Sequence, residues 1–346
     1  MTKNKTKIAI IVLNWNQPAL TIQTIKSLLK IKHTSFNYKI FLVDNASTDN
    51  SIELFNKFTH RHPDPSHRHP DSPTGEEGSP RNRQKQQRDS SASPQNDVKI
   101  QILQTSSNLG YANGNNFGIK QALKENFDYI LVINNDVLVD PDFLQILLKS
   151  AQKNPKLAIL GPKIYFAKGY EFHKNRYKKN ELGNIIWSAG GYMDWDNILG
   201  SNIGVDQIDK GQFNKFTTKI DFISGCCMLV KSKLFKEIGL FDKKYFMYLE
   251  DIDFCQKAKK AGYKLAYIPD SKIWHLNAQS SGTGGNLHHY FISRNRLLFA
   301  MRHASFRVKL AIIRQSVEKL FSSKYSWEKR GIIDFYLQRF NKGRWK

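Results

Sequence analysis

Cysteine is scarce in this sequence. Only three of the 346 residues are cysteine, and two of them, Cys226 and Cys227, are adjacent, while the third is Cys255. An odd number of cysteines excludes a disulfide framework, and the spacing of these three is not that of zinc-finger ligands. A reducing, cytosolic environment is therefore expected, with cysteines that act as small buried residues.

Long hydrophobic runs are also lacking. The longest apolar run near the N-terminus, Ile8–Leu13, has six residues and is followed by Asn14. A membrane-spanning helix needs about 20 consecutive apolar residues, and the apolar core of a signal peptide needs about 7–15. We therefore expect neither a transmembrane helix nor a secretion signal.

Acidic residues are too few to balance the basic ones. The chain has 53 Lys and Arg against 30 Asp and Glu, a formal net charge of +23. An excess of this size indicates an anionic partner: nucleic acid, an acidic membrane surface or a phosphate-bearing substrate. Hydrophobic residues still make up 40% of the chain, which is enough for a sizeable core.

The C-terminal residues 288–346 carry much of this charge. They contain 14 basic and 3 acidic residues, interleaved with aromatic and aliphatic side chains. This pattern predicts a tail of basic amphipathic helices. Two interpretations remain open: the helices bind an anionic membrane surface, or they pack on the rest of the chain and merely expose their charges. Nucleic-acid binding is disfavoured because the sequence has no helix-turn-helix, zinc-finger or RNA-binding motif.

Residues 60–97 lack large hydrophobic side chains altogether. They hold six of the eleven prolines and repeat the sequence His-Arg-His-Pro-Asp at His60–Asp64 and His67–Asp71. Such a segment cannot bury enough apolar surface to offset the entropy lost when it becomes ordered. We predict a disordered insertion at this place.

The rest of residues 1–287 alternates between apolar strands and helices, which predicts one domain. The first predicted strands are Lys7–Leu13, Tyr38–Val43, Ile100–Gln104, Tyr129–Ile133 and Ala158–Lys163. Fully apolar strands separated by helices are typical of an α/β fold with a mostly parallel sheet that helices cover on both faces. An irregular, polar excursion is expected at about 165–220, followed by strands at Phe222–Val230 and Lys264–Ile268. Ligands of such sheets bind at the carboxyl ends of the strands.

Polar side chains follow four strands, in the segments 14–16, 44–49, 108–112 and 134–136. A single Asn or Asp at such a place is usually a turn former or a helix N-cap. Four clusters on consecutive parallel strands, however, converge on one crevice. There Asp44 could accept a hydrogen bond from a nucleobase, and Asp136 could bind a divalent cation that bridges two phosphates.

Acidic residues cluster a second time at Glu250, Asp251 and Asp253, with aromatic residues on both sides. At a solvated helix N-terminus the helix dipole would stabilise these acids. Packed among aromatic rings they would instead be desolvated, which raises the pKa of a carboxyl group and favours base catalysis. His275 follows a later strand and could bind the same metal, although a single histidine more often makes a structural hydrogen bond.

In their order these motifs resemble those of family 2 glycosyltransferases of the bacterial rhamnosyltransferase-like branch, which have the GT-A (nucleotide-diphospho-sugar transferase) fold. The resemblance runs from residue 7 to about residue 300, apart from the insertion. It rests on the ordered set Asn14-Trp15-Asn16, Val43–Asp49, Asn108–Ala112, Asn134-Asn135-Asp136, Ser224–Val230, Gly239–Asp242, Glu250–Asp253 and Trp274-His275.

The resemblance implies catalytic and metal-binding roles for single residues. Asp251 corresponds to the family's catalytic base. Asp136 and His275 correspond to the residues that bind Mg²⁺ or Mn²⁺. Asn134 stands where the family has the first acid of an Asp-x-Asp motif, and this departure lowers the number of anionic ligands.

The resemblance also implies two substrate-binding sides. The residues expected to bind the donor are Asn14, Asn16, Asp44, Asn45, Asn108, Asn115, Asn135, Asp136 and Arg294. Ser280 and Ser281 fall in a segment that closes over the diphosphate in the family. Gly225, Cys226 and Glu250 fall on the acceptor side, where Cys226 either packs against the acceptor or belongs to a small-residue strand beneath the site.

The function implied by the resemblance is inverting transfer of a sugar in cell-surface polysaccharide synthesis. The sugar would be rhamnose or a similar hexose, the donor a dTDP- or UDP-sugar, and the acceptor a hydroxyl of a glycan or a lipid-linked glycan. The enzyme would be cytoplasmic and peripheral to the inner face of the cell membrane. The alternatives are a non-catalytic sugar-nucleotide binding module and a basic protein that binds nucleic acid or a membrane surface.

Overall fold

A computed structural model describes residues 5–60, 98–276 and 284–345. The predicted insertion lies outside the described residues from 61 onward, and Ser280 and Ser281 also lie outside them. The strands are β1 (Thr6–Asn14), β2 (Phe36–Asp44), β3 (Lys99–Gln104), β4 (Tyr129–Asn134), β5 (Val137–Val139), β6 (Leu157–Phe166), β7 (Ile185–Ser188), β8 (Gly191–Asp194), β9 (Leu199–Asn202), β10 (Gln207–Ile208), β11 (Cys227–Lys231) and β12 (Lys264–His275). The helices are α1 (Pro18–Leu28), α2 (Ser51–His60), α3 (Gly110–Lys124), α4 (Phe143–Lys153), α5 (Ser232–Ile238), α6 (Glu250–Lys260), α7 (Asn286–His303), α8 (Phe306–Ser322) and α9 (Ser326–Tyr336).

The first half of the fold is a parallel sheet with the order β3-β2-β1-β4. Successive residues of β1 point to opposite faces, so Ala9 and Ile11 pack in the cluster that holds α3, while Ile8 and Ile10 pack in the cluster that holds α1 and α4. All four side chains are fully buried. The predicted doubly covered parallel sheet is therefore confirmed for this half.

The second half of the sheet is mixed. β11 runs antiparallel to β4 and to β6, whereas β12 runs parallel to β6 and antiparallel to β5. β7 and β10 extend the edge beyond β6, and β8 and β9 form a separate hairpin. The segment at about 165–220, which was predicted to be irregular, thus contains four short strands. The sequence did not predict them because strands of two to four residues are too short to show a hydrophobic period.

Two predicted strands differ from the structure in their bounds more than the others do. β11 begins at Cys227 rather than at Phe222, because the segment before it is a loop. β12 continues past Ile268 to His275, with an irregular register between Ile268 and Lys272. Proline disfavours a central strand position, so Pro269 concealed the continuation that brings His275 next to Val137 of β5.

The C-terminal helices are as predicted, but α7 is no detached tail. Eight of its eighteen residues are buried, and Leu297 and Phe299 belong to the same hydrophobic cluster as Ala9 and Ile11 of the sheet. The boundary expected at 287/288 falls inside α7, so this helix belongs to the body of the fold. No helix of the described ranges is long and apolar enough to cross a bilayer.

Candidate active site

The loops after β1 and β2 are held together by hydrogen bonds around Asp44. The buried amide of Asn14 donates to Asp44 Oδ1 at 2.9 Å and to Ser47 Oγ at 3.0 Å, while its Oδ1 accepts from Thr21 at 2.7 Å. The backbone N–H of Ser47 donates to the other Asp44 oxygen at 3.0 Å. Asn14 therefore fixes the carboxylate of Asp44 and offers little surface of its own to a ligand.

Asn16 joins the same two loops through further hydrogen bonds. Its φ of 53° lies in the left-handed region, which asparagine tolerates better than most residues. Its Oδ1 accepts from the Thr48 N–H at 2.8 Å, and its own N–H donates to Ser47 Oγ at 3.0 Å. The neighbouring Trp15 is half exposed and gives this edge a flat aromatic surface; the sequence marked Trp15 only as part of a motif.

Asn45 and Asn108 connect β2 to the start of α3. The amide of Asn45 donates to Asn108 Oδ1 at 3.0 Å, and its Oδ1 accepts from the Leu109 N–H at 3.0 Å. Gly110 has a φ of +73°, and a Cβ there would lie 2.5 Å from Phe246 O, so only glycine fits. One turn further along α3, Asn115 is buried, and within the described residues its Oδ1 has no hydrogen-bond partner.

Asp136 and His275 form a buried pair at the other side of the cleft. The β5–β12 pairing places Asp136 Oδ1 3.1 Å from His275 Nε2, although the residues are 139 positions apart. Trp187 packs edge-on against the imidazole, with ring centroids 4.7 Å apart. Asn135, in the same turn, donates to Thr21 Oγ1 at 2.9 Å and thereby ties this turn to α1.

A divalent cation fits the chemistry of this pair. One carboxylate and one imidazole are suitable ligands for Mn²⁺, and Mg²⁺ is commonly held by one or two carboxylates together with substrate phosphates. The Nδ1 atom of His275 is buried without a partner among the described residues. Those residues contain no group of three or more His, Cys, Asp or Glu side chains that could hold a metal without the substrate.

Asp251 lies at the first turn of α6 and is held by the loop before β11. The N–H of Gly225 donates to Asp251 Oδ2 at 2.7 Å, and the N–H of Ile252 donates to Oδ1 at 2.8 Å. Burial raises the pKa of Asp251. Three residues before α6 have left-handed backbones, Phe246, Tyr248 and Leu249, and they turn the chain sharply into the helix.

Glu250 is buried beside Asp251 and has an unused oxygen. Its Oε2 has no hydrogen-bond partner in the described part of the chain. Burial, and then the charge of Asp251, raise the pKa of Glu250 well above its usual range. The expectation that these acids are desolvated is therefore confirmed for Glu250, which is buried, and only in part for Asp251, which is half-buried.

Tyr111, which the sequence marked only as part of the motif Asn108–Ala112, completes this corner of the site. Its hydroxyl donates to Gly225 O at 2.6 Å, so Gly225 is held on one side by Tyr111 and on the other by Asp251. A Cβ at residue 225 would lie 2.7 Å from the Tyr111 hydroxyl oxygen. The sequence around Tyr111 does not indicate this role, because its hydrogen-bond partner Gly225 is 114 residues away in the chain.

Cys226 lies between the two acidic parts of the cleft. Burial, and then the charge of Asp136, raise the pKa of its thiol well above the ordinary value, and Asp251 contributes in the same direction. A thiol in this state is not an active nucleophile. The carbonyl of Cys226 accepts from the Asn134 N–H at 2.9 Å and the Gly225 N–H donates to Asp251, so the Gly225-Cys226 loop connects the turn of Asp136 with Asp251.

Two charged side chains, one acidic and one basic, lie away from the positions that their motifs suggested. Asp253 is fully buried on the far side of α6, where it pairs with Arg302 and His303 of α7. Arg294, expected to bind the donor, is also fully buried, and its guanidinium donates to backbone carbonyls, among them Tyr245 O at 3.0 Å and Asn341 O at 2.7 Å. The assignment of Arg294 to the leaving group is thus corrected, because this side chain has no exposed surface to offer.

Comparison with known proteins defines the class of protein. The described structure has the GT-A fold, as does the crystal structure of GalNAc-T7 with UDP, GalNAc and Mn²⁺, with a TM-score of 0.60, 13% identity and coverage of 97% of this chain and 56% of that one. A crystal structure of Staphylococcus aureus TarS 1-349 with UDP-GlcNAc has a TM-score of 0.51 and 14% identity, and the match covers 92% of this chain and 73% of that one.

The sequence comparison then identifies the family. Residues 5–300 match the family described as glycosyltransferase like family 2, and the chain belongs to this family. The N-acetylglucosaminyl-diphospho-decaprenol L-rhamnosyltransferase of Mycobacterium tuberculosis is 28% identical over 192 residues, 53% of this chain and 61% of the relative. Rhamnosyltransferase WbbL of Escherichia coli is 26% identical over 166 residues, 46% of this chain and 58% of the relative. The matched part thus spans about three fifths of each of these relatives.

Proposed function

We propose that this protein is an inverting glycosyltransferase that moves a sugar from a nucleotide diphosphate donor to a hydroxyl group of its acceptor. The observation that carries the proposal is the placement of Asp251, whose Oδ2 accepts from the Gly225 N–H at 2.7 Å. Burial raises the pKa of this carboxyl group. A carboxylate with a raised pKa takes up a proton more readily near neutral pH, which is what a general base must do.

In the proposed reaction, Asp251 takes the proton of the acceptor hydroxyl while the hydroxyl oxygen attacks the anomeric carbon. The bond from that carbon to the diphosphate oxygen breaks on the opposite face, and the nucleoside diphosphate leaves with the electron pair. One displacement inverts the anomeric centre and needs no covalent enzyme intermediate. Glu250 lies beside Asp251, and its Oε2, which has no hydrogen-bond partner in the described part of the chain, would form a hydrogen bond with the acceptor.

The donor is proposed to lie along the carboxyl ends of β1, β2 and β4. Asp44, with the Asn14 and Asn16 loop, would hold the nucleoside, and Asn135 and Asp136 would lie at the diphosphate. Asp136 and His275 would hold Mg²⁺ or Mn²⁺, which when bound stabilises negative charge on the leaving diphosphate. Their separation of 3.1 Å and their burial support this assignment.

The proposed sugar is rhamnose or a similar hexose from a dTDP- or UDP-sugar. The names of the Mycobacterium tuberculosis and Escherichia coli relatives support rhamnose, and the first of these names also supports a lipid-linked acceptor. We place the reaction in cell-surface polysaccharide synthesis, at the cytoplasmic face of the membrane. This placement agrees with the excess of basic residues at the C-terminus.

The variant Asp251→Asn tests the proposal, because an asparagine oxygen can still accept from the Gly225 N–H. With a panel of dTDP- and UDP-sugars, Mn²⁺ and a glycolipid acceptor, we expect transfer to fall by about 10²-fold or more, the usual contribution of a general base. The donor should still raise the melting temperature of the variant as much as that of the wild type. Asp196→Asn, which changes an exposed acid, is the matched control. Near-normal turnover by Asp251→Asn would refute the assignment of the base.

A non-catalytic sugar-nucleotide binding module is the second candidate. Asn134 favours it, because an amide replaces the first acid of the metal motif and leaves Asp136 as the carboxylate of that turn. The same donor panel separates the two functions. A binding module would show a donor-dependent rise in melting temperature without release of nucleoside diphosphate at any Mn²⁺ concentration.

A further inference from the structure

Helix α8 carries a stripe of apolar side chains on its outer surface. The α8 stripe consists of Phe306, Leu310, Ile313, Val317 and Phe321. The spacings of four, three, four and four residues keep all five within one narrow arc of the helix. Phe306 is 76% exposed and Phe321 is 82% exposed. Two phenylalanines at opposite ends of a helix are therefore almost fully accessible in the described structure.

The opposite face of α8 already has its packing partner. Val308, Ile312 and Ser316 are buried against the body of the fold, and the Ser316 hydroxyl lies 2.6 Å from the Tyr336 hydroxyl of α9. The helix is therefore fixed in its orientation, and the stripe is directed away from the protein. A continuous exposed apolar surface of this kind marks an interaction site more often than a solvated face.

Basic side chains flank the α8 stripe. Arg307 and Arg314 lie along one side of it and Lys309 along the other, and Glu318 is the one acid of α8. The ion pairs of Arg307 with Asp196 and of Arg314 with Glu318 are strongly exposed. Exposed pairs contribute little energy, so both guanidinium groups are available to a stronger anionic partner.

These charges favour one occupant over the others. A second copy of this chain would bring into contact two C-terminal regions, each with 14 basic and 3 acidic residues, which like-charge repulsion opposes. An anionic bilayer instead offers an apolar interior for the stripe and negative headgroups for the rim. An apolar face with Lys and Arg beside it is typical of a helix that lies in the plane of the interface.

We propose that the α8 stripe binds the surface of an anionic lipid bilayer, with Phe306 and Phe321 inserted among the acyl chains and Arg307, Lys309 and Arg314 at the headgroups. The body of the fold then lies on the aqueous side of this helix. This inference concerns attachment alone and holds whatever sugar the cleft transfers.

Flotation of the full-length protein with vesicles tests the proposal. Phosphatidylcholine vesicles with phosphatidylglycerol should bind the wild type, and those without it should bind far less. Raising the salt concentration should weaken binding, because the headgroup attraction is screened. Replacing both phenylalanines, as Phe306→Ser/Phe321→Ser, should lower the partition coefficient by about tenfold or more, since each ring loses its transfer into an apolar phase.

The matched control replaces two exposed phenylalanines outside α8, as Phe172→Ser/Phe216→Ser. It should bind as well as the wild type, and circular dichroism should show both double variants to be folded. The proposal is overturned if the wild type binds neither vesicle, if it binds both equally, or if control and stripe variants lose the same affinity. It is also overturned if light scattering finds a wild-type dimer that the stripe variant dissociates, because the stripe would then be a self-association surface.

Discussion

Replacing Asp253 with asparagine should destabilise the protein strongly, because this carboxylate holds α6 and α7 together. Asp253 is fully buried. Its Oδ1 lies 2.8 Å from His303 Nε2 and 3.3 Å from an Arg302 nitrogen, and its Oδ2 lies 2.7 Å from Lys257 Nζ. Removing the negative charge leaves these groups facing a neutral amide. The loss of one partner from a buried ion pair typically costs about 3–5 kcal/mol.

The pKa of Asp253 gives an independent magnitude. Burial alone would raise the pKa, but the hydrogen bond from His303 and the charges of Lys257 and Arg302 lower it to about 2 from 3.8. Because the folded value is the lower one, the stabilisation is complete above about pH 4 and is lost as the pH falls through about 2. A difference of nearly two pKa units corresponds to about 2–3 kcal/mol of unfolding free energy.

Urea unfolding of the wild type and of Asp253→Asn over this pH range measures both the loss of unfolding free energy and its dependence on pH. At neutral pH the variant should be about 3 kcal/mol less stable. Towards pH 2 the two curves should converge, because the wild type then loses what the variant already lacks. Asp251→Asn is the matched control on the same helix: burial raises the pKa of Asp251, so its charge opposes folding and its removal should cost nothing. Parallel pH curves for wild type and Asp253→Asn would refute the reasoning.

Two further predictions concern the cleft. Because Asp251 acts as a base with a raised pKa, kcat/KM for transfer should rise with pH through a midpoint above the aspartate value of about 3.9, and a profile flat down to that pH would contradict the role. His275→Ala should raise the Mn²⁺ concentration needed for half-maximal activity by about 10-fold or more, since one metal ligand is lost. The same variant should leave the metal-free rise in melting temperature caused by the nucleoside diphosphate unchanged. An unaltered Mn²⁺ titration would remove His275 from the metal site.

Much of the cleft could be predicted because strand ends are local features. The apolar runs before Asn14, Asp44 and Asn134 end at the sheet edge where these residues lie, and their hydrogen bonds connect the loops of neighbouring strands. The sequence could not distinguish residues that face the ligand from those that fix the loops. Asn14 and Asn45 are buried, with several hydrogen bonds each, and support their neighbours.

Other features could not be predicted because their causes are distant in the chain. Three acids within four residues look alike in sequence, yet burial raises the pKa of Glu250 and Asp251 while partners on α7 lower that of Asp253. Arg294 follows the family pattern in sequence but is enclosed by backbone carbonyls, including those of residues 339 and 341 near the C-terminal end.

The sequence by itself determined the parallel half of the sheet, the order of the motifs and the helical character of the C-terminal residues. These depend on the spacing of apolar side chains and on the residues at strand ends, which are local properties. Only the tertiary structure decided that Asp136 meets His275, that Gly225 holds Asp251, and that one face of α8 stays uncovered. The first two are contacts between segments far apart in the chain, and the third is the absence of such a contact among the described residues. No local sequence pattern encodes any of them.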